Sequence, residues 1–152
     1  MFDAREWLQS VTSAVRSIKS DAVLISTARE RLDSLGSVVK EVVVRSSAAD
    51  STDKIDAVLD LENERRERLA NAQREVADAR RVFEGMRRIG KLESNAADVL
   101  ELVHVSDISK SRAAKRLRVS RSTLLRRYAY GVDWLDAHGL AYAKQGVGRA
   151  TN

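Results

Sequence analysis

The chain has 152 residues and a net charge of +5; 32% of the residues are charged and 5% are aromatic, which is typical of long helices with a narrow apolar stripe. It contains no cysteine, which excludes disulfides, thiolate zinc sites and cysteine nucleophiles, and no proline that would interrupt a helix. Its apolar runs fall far short of the roughly 20 residues that cross a bilayer, and MFDAREWLQS lacks an apolar export core, so we expect a cytoplasmic protein without a membrane partner.

Apolar residues in the first part of the chain recur three and four apart, which predicts a long helix from about Asp3 to Val44. Asp3 can cap the start of this helix, because a short carboxylate accepts hydrogen bonds from the free amides of the first turn. The spacing shifts after Ile25, and Gly36 favours a bend or a break nearby. The stripe comprises Leu8, Val11, Val15, Ile18, Ala22, Ile25, Ala28, Leu32, Leu35, Val39 and Val42.

Residues 45–54, RSSAADSTDK, lose this stripe and collect short polar side chains that compete for backbone hydrogen bonds, so we predict a loop. Asp53 then starts a second helix of roughly 50 Å that ends near residue 88. Its apolar residues are Ile55, Val58, Leu59, Leu69, Ala72, Val76, Ala79, Phe83 and Met86. Two such helices predict a long antiparallel hairpin, a coiled coil over residues 1–90, which oligomerises because it cannot bury its stripe alone. A helical spacer without a partner is the alternative.

The next elements are shorter. Gly90 is expected to end the second helix as a carboxyl-terminal cap, followed by a short connector. Ser94 or Asn95 can then cap a third helix that covers about residues 96–105, where apolar residues again fall on one face. The whole chain is therefore predicted to be all-α, with a small helical domain after the hairpin.

Two further helices are predicted after Ser109 and Ser120, whose hydroxyl groups suit helix caps. Together with the third helix they give a small domain over residues 94–140. Beyond Gly139 the apolar pattern is lost, so residues 141–152 are expected to form a disordered tail.

The charge of the chain is concentrated in this carboxyl-terminal domain. No acidic residue lies between Asp107 and Asp133, whereas eight of the 27 bases do, and the other 19 bases stand against 22 acids. A local positive field of this kind is expected where a protein meets a polyanion. The alternative is that these bases only solvate a helix or pair with acids of the hairpin.

The same stretch has the apolar spacing of a helix-turn-helix motif. Ala114 is the small residue needed where two helices cross closely, and Leu117 faces the core one turn later. Val119 tucks into the turn, Ser120 caps the next helix, and Leu124 closes the core on its inner side. The sequence therefore predicts a helix-turn-helix.

Two positions depart from the usual motif. Arg118 occupies the turn, where glycine is commonest because it adopts a left-handed conformation at little cost. Arg127, three residues after Leu124, stands where an apolar residue is usual, and Tyr128 can take over its packing role. These departures indicate a divergent member of the motif class.

The segments VLEL at 99–102 and AAKRLRVSRSTLLRR at 113–127, placed after a charged helical stretch, resemble phage-encoded late-transcription regulators of the ArpU and RinA group. In that group a coiled hairpin precedes a helix-turn-helix similar to the fourth region of bacterial sigma factors. The resemblance implies a DNA-binding regulator of phage or prophage transcription in the host cytoplasm, with RNA polymerase as a further candidate partner.

In such a motif the second helix, here about residues 121–130, enters the major groove of double-stranded DNA with its first residues at the base edges. Residues that point away from Leu124 and Tyr128 are the candidates for reading bases: Arg121, Ser122, Leu125 and Arg126. The remaining bases are candidates for phosphate contacts: Lys110, Arg112, Lys115, Arg116, Arg118 and Arg127. The predicted motif core is Ala114, Leu117, Val119, Leu124 and Tyr128.

No catalytic, metal or cofactor site is predicted. His104 and His138 lack the spacing of a metal-binding pair. Glu62, Glu64 and Glu67 lie among arginines on a solvent-exposed helix. Ion pairs between side chains three or four residues apart explain these carboxylates. No serine lies in the context of a nucleophile elbow. We therefore expect a binding protein and not an enzyme.

Two other functions stay open. The DNA-recognition subunit of a phage packaging terminase also joins a helix-turn-helix to a coiled oligomerising region, although there we would expect the DNA motif first in the chain. A coiled-coil adaptor that binds no DNA could use the basic stretch on another acidic surface. Mass in solution separates the regulator from the terminase subunit, because packaging subunits form large rings and regulators usually form homodimers. DNA binding separates both from the adaptor.

Overall fold

The computed structural model describes residues 1–42 and 48–146; within them, the side chains of residues 28, 32–42 and 48–52 are not described. Five helices account for almost all of this chain, and the described residues contain no strand, so the predicted all-α class is confirmed. The helices are α1 (Ala4–Val42), α2 (Ala48–Ile89), α3 (Lys91–His104), α4 (Lys110–Leu117) and α5 (Arg121–Gln145). None of the described helices is both long enough and apolar enough to cross a membrane.

Helix α1 begins where the sequence predicts. Asp3 Oδ1 accepts hydrogen bonds from the backbone amides of Arg5 at 2.8 Å and Glu6 at 3.1 Å, as a capping carboxylate does. Of the bend or break expected near Gly36, a break does not occur, since α1 continues through Gly36 to Val42. One glycine costs a helix only about 1 kcal/mol, which the flanking helical residues outweigh. The predicted end at residue 44 lies outside the described residues.

Helix α2 begins at Ala48, so the predicted start at Asp53 and the predicted loop over residues 48–54 are wrong; residues 45–47 of that loop lie outside the described residues. The polar residues that suggested a loop occupy the first turns of the helix. There the backbone amides lack helical partners, and short polar side chains are well tolerated.

Gly90 alone separates α2 from α3. It has extended dihedral angles (φ −178°, ψ 179°) and not those of a left-handed cap, and its carbonyl accepts the amide of Ser94 at 2.9 Å. The predicted connector and the predicted caps at Ser94 or Asn95 are therefore wrong, because α3 already begins at Lys91. Glu93 in the first turn of α3 favours this early start through the helix dipole.

The predicted starts of the last two helices are confirmed. Ser109 Oγ accepts the amide of Arg112 at 3.3 Å, and Ser120 Oγ accepts the amide of Thr123 at 3.2 Å. Helices α3, α4 and α5 pack against one another.

Residues 141–146, expected to belong to a disordered tail, pack against α2 instead. Gly139 (φ 78°, ψ 168°) kinks α5, which remains helical to Gln145; residues 147–152 lie outside the described residues. Ala143 is fully buried, and a Cβ atom built on Gly85 would lie 1.7 Å from its carbonyl oxygen. Lys144 Nζ also pairs with Asp78 Oδ1 at 2.7 Å. The contacts that hold this segment are tertiary, so periodicity could not reveal them.

The chain divides into two compact units. The first comprises Met1–Val15 with Gln73–Asn152, and the second comprises Arg16–Ala72. The core of the first unit contains Leu8, Phe83 and Leu100, each fully buried, and the ring centroid of Phe83 lies 6.0 Å from that of Trp7.

The side chains of the second unit are more exposed to solvent. Glu62 pairs with Arg66 at 2.7 Å on the same helix and approaches Arg29 of α1 at 3.7 Å. Several apolar side chains of this unit are exposed by 39% or more: Val23, Leu24, Ile55, Val58, Leu59 and Leu61. The predicted apolar stripe of α2 is therefore not buried at its start.

Candidate nucleic-acid interface

Helices α3, α4 and α5 share a small apolar core that orients the basic residues. Its buried members are Val99, Ala113, Ala114 and Leu124, and Leu102, Val103, Ile108, Leu117, Val119 and Tyr128 pack partly buried around them. All five residues of the predicted motif core lie in this cluster. Sequence reasoning missed Ala113, which is fully buried while Ala114 is 6% exposed. The adjacent pair of alanines was its only signal.

A sharp turn links α4 to α5. Arg118 has left-handed dihedral angles (φ 55°, ψ 42°), and its amide donates to the Lys115 carbonyl at 3.2 Å. The amide of Val119 donates to the Ala114 carbonyl at 3.0 Å, which closes the end of α4. A non-glycine residue in this conformation costs roughly 1–2 kcal/mol. The geometry usually supplied by glycine is therefore present here at an arginine.

The four residues predicted to read bases lie exposed on the first two turns of α5. Arg121, Ser122, Leu125 and Arg126 are all exposed, whereas Leu124 between them is fully buried. Ser122 Oγ lies 3.1 Å from Ser120 Oγ. These four side chains therefore share the outer side of the helix.

The predicted phosphate-contact residues fall into two groups. Four are exposed: Arg112, Lys115, Arg116 and Arg118. Lys110 and Arg127 are half-buried. Lys110 Nζ lies 4.1 Å from the centroid of the Tyr128 ring, a cation–π contact, and Arg127 lines a cleft with Leu92 and Asn95 of α3. Arg127 is thus set apart from the exposed bases.

The charge of these bases is largely uncompensated within the described part of the chain. Across the described residues, six of the eight have no carboxylate partner: Arg112, Lys115, Arg116, Arg118, Arg121 and Arg127. The suggestion that they pair with acids of the hairpin therefore finds no support in the described part of the chain. An uncompensated cluster of this kind attracts a polyanion, and salt screens that attraction.

Arg87, at the end of α2, has the opposite environment. Its guanidinium pairs with Glu84 at 2.8 Å, with Asp98 at 2.9 Å and with Glu101. Partial burial disfavours the charge, but the hydrogen bonds and charges of Glu101 and Asp98 outweigh burial and raise the pKa of Arg87. Arg87 is therefore engaged by acids of α2 and α3 and is not available to a ligand.

A buried histidine lies behind the basic surface. His104 is 7% exposed; its Nδ1 lies 2.8 Å from Thr12 Oγ1, and its Nε2 lies 3.0 Å from the Tyr128 hydroxyl. Burial, followed by the charge of Lys110, lowers its pKa to about 4. Sequence reasoning excluded His104 as a metal ligand but missed this link between α1, α3 and α5. Among the described residues no cluster could hold a metal ion.

The chemistry available at this surface is that of charge and hydrogen bonding. Guanidinium groups on α4 and α5 can pair with phosphates or with base edges, and the Ser122 hydroxyl can donate or accept. Comparisons with protein-family models, with curated proteins and with solved structures found no match to this chain.

Proposed function

We propose that this protein is a sequence-specific DNA-binding regulator of transcription, of the phage or prophage type that its sequence resembles. Helices α4 and α5 act as a helix-turn-helix, and residues 121–130 enter the major groove. The observation that carries this proposal is a set of exposed bases on two helices that meet at the left-handed turn of Arg118. Most of these bases have no carboxylate partner among the described residues.

The exposed side chains of α5 suit base recognition. Arg121 and Arg126 can each donate two hydrogen bonds to guanine, and Ser122 can meet several bases. Leu125, 41% exposed, can contact the methyl group of thymine.

The other bases suit backbone contacts that carry no sequence information. Five of them precede the recognition helix, and the sixth, Arg127, lies within it. The five are Lys110, Arg112, Lys115, Arg116 and Arg118. If six to eight phosphates are neutralised, DNA affinity falls as roughly the fifth to seventh power of salt concentration. This electrostatic part of the affinity is shared by specific and random sequences.

We further propose that α1 and α2 form an antiparallel hairpin that dimerises. In the first unit Trp7, early in α1, lies beside Phe83, late in α2. In the second unit Arg29, later in α1, approaches Glu62, earlier in α2, which is the order expected within an antiparallel pair. The exposed Ile55 and its neighbours on α2 give the second unit apolar surface that a second copy would cover. A homodimer would present two recognition helices to half-sites about 34 Å apart or multiples of this distance.

The resemblance adds two parts to the proposal: contact with host RNA polymerase, and action in the host-cell cytoplasm. Both follow from the late-regulator group and from no contact within this chain. Pull-down of purified RNA polymerase by the full chain, with and without a bound promoter duplex, tests the first.

The direct test is selection of DNA from a random duplex library with the purified full chain. A regulator recovers one motif, and a dimer recovers it as two half-sites. Recovery of no motif, with equal affinity for all duplexes, would overturn sequence-specific recognition.

Light scattering on the same sample tests the terminase alternative. A dimer agrees with the regulator, whereas a large ring would favour a packaging subunit. A chain that binds no duplex at low salt would leave the coiled-coil adaptor.

A further inference from the structure

A cleft of about 320 Å³ opens between the first turns of α3 and the first turns of α5, within the first unit. This volume is at the small end of the range for ligand pockets. The cleft is lined by Leu92, Asn95, Thr123, Arg126, Arg127 and Tyr130. None of the functions considered above uses the cleft as a whole.

The lining combines apolar surface with positive charge. Leu92, which is 63% exposed, and Tyr130 both line the cleft. The Tyr130 hydroxyl donates to Glu93 Oε1 at 2.9 Å, so this polar pair is already satisfied. The groups left for a ligand are therefore an apolar wall, two guanidinium groups and the polar side chains of Asn95 and Thr123.

Arg127 is the decisive residue of the cleft. It lies three residues after the buried Leu124, on the inward side of α5 where an apolar side chain is usual, and it is half-buried. It has no carboxylate partner among the described residues. A partly desolvated guanidinium without a counter-charge favours an anion, which it can bind through two parallel hydrogen bonds.

We propose that this cleft binds a small organic carboxylate with an apolar body. The carboxylate pairs with Arg127 and Arg126, and the apolar body covers Leu92 and the Tyr130 ring. The Asn95 amide and the Thr123 hydroxyl, which already lies 3.4 Å from Arg126 Nη2, border the anion. A DNA phosphate has the charge but not the apolar body, so it leaves Leu92 exposed.

The position of Arg126 gives such a ligand a consequence for DNA binding, and this step rests on the proposed function. Arg126 borders the cleft and is also a candidate for reading bases, so a ligand that holds its guanidinium withdraws it from the groove. Because coupling between two ligands is reciprocal, the carboxylate weakens specific DNA binding and specific DNA weakens carboxylate binding by the same factor.

The test uses the ¹⁵N-labelled full chain without DNA, with 4-phenylbutyrate as the probe and 4-phenylbutyramide as its uncharged counterpart. We expect the acid to shift the amide resonances around Thr123 and Leu92 saturably, with a dissociation constant on the order of 1 mM. The amide should bind about tenfold more weakly, since it lacks the charge-assisted hydrogen bonds.

Two variants give the site specificity of the effect. Arg127→Leu suits the inward side of α5 and is expected to fold, yet it should weaken binding of the acid about tenfold. Lys115→Gln removes an exposed base of α4 that does not line the cleft, and should change the affinity less than twofold. The circular dichroism of each variant should match that of the wild type.

Equal binding of acid and amide, or unchanged affinity in Arg127→Leu, would overturn the proposal. Failure of the acid to bind would also overturn the proposal. If Arg127→Leu then weakens duplex binding as much as Arg116→Gln does, the cleft belongs to the DNA surface. Since the probe is measured without DNA, acid binding by a chain that binds no duplex would support the cleft assignment and leave only the proposed function overturned.

Discussion

Arginines at the end of α2 and at the start of α5 occupy contrasting environments. Arg87 is held by three carboxylates and ties α2 to α3, whereas Arg121 is exposed and has no carboxylate partner within the described part of the chain. The same side chain therefore serves architecture in one place and is free for a ligand in the other. What distinguishes the two is the nearby acids, which a count of basic residues does not register.

The largest expected effect is on stability and comes from replacing Arg87. Arg87→Met leaves Asp98 and Glu101 without their cation. It should lower the free energy of unfolding by roughly 2–3 kcal/mol, less than for a fully buried pair because solvent screens these partly exposed groups, as measured by urea denaturation. Arg121→Met is the matched control, and should change it by less than about 0.5 kcal/mol. Equal stability of the two variants would remove the distinction between these arginines.

The buried histidine extends the comparison to pH. Because the folded pKa of His104 is about 4 and its ordinary value is 6.5, the unfolded chain takes up the proton first as pH falls. The contribution of His104 to stability is present above pH 6.5 and is lost as pH falls towards 4. Between pH 7 and pH 5 the loss should be about 2 kcal/mol.

The control for this effect is His104→Gln, which retains polar atoms but does not titrate. The wild type should lose about 2 kcal/mol more than this variant over the same interval. Parallel pH dependence of the two proteins would show that the His104 contacts do not perturb its titration.

The exposed arginines of α5 are tested by measuring DNA affinity. Arg126→Ala should weaken binding to a selected duplex by about 1–3 kcal/mol, because the proposed bidentate contact with guanine would be lost. Anisotropy titrations with the selected and a scrambled duplex measure this difference. Equal loss on both duplexes would mean that Arg126 contacts phosphate and reads no base.

The smallest effect concerns Arg118, whose backbone is strained and whose side chain is exposed. Arg118→Gly should raise the free energy of unfolding by up to about 1 kcal/mol, since glycine adopts the left-handed conformation without strain. Lys115→Gly, within α4, should lower it by about 1 kcal/mol. A destabilised Arg118→Gly protein would show that the arginine side chain contributes more than the strain removes.

The parts of the fold that follow from short-range chemistry were predictable from the sequence. Ser109 and Ser120 cap their helices within three residues, and the spacing of Ala114 and Leu124 is set by helical geometry. Both features depend on neighbours in the chain. They located the turn and the outward side of α5 without further information.

The features that the sequence did not predict depend on contacts between residues that are far apart in the chain. The segment after Gly139 lacks an apolar pattern but is held by Ala143 against Gly85 and by Lys144 against Asp78. Likewise, the link from Thr12 to His104 spans 92 residues. No window of helical periodicity contains both partners of such pairs, so they could be found only in three dimensions.

The central claim, that the basic side of α4 and α5 binds the phosphates of duplex DNA, is tested most directly by the salt dependence of binding. For the selected duplex, a plot of log affinity against log salt should have a slope of about −5 to −7, and Arg116→Gln should make it less steep by about 1. No binding at low salt, or a slope that Arg116→Gln leaves unchanged, would contradict the account.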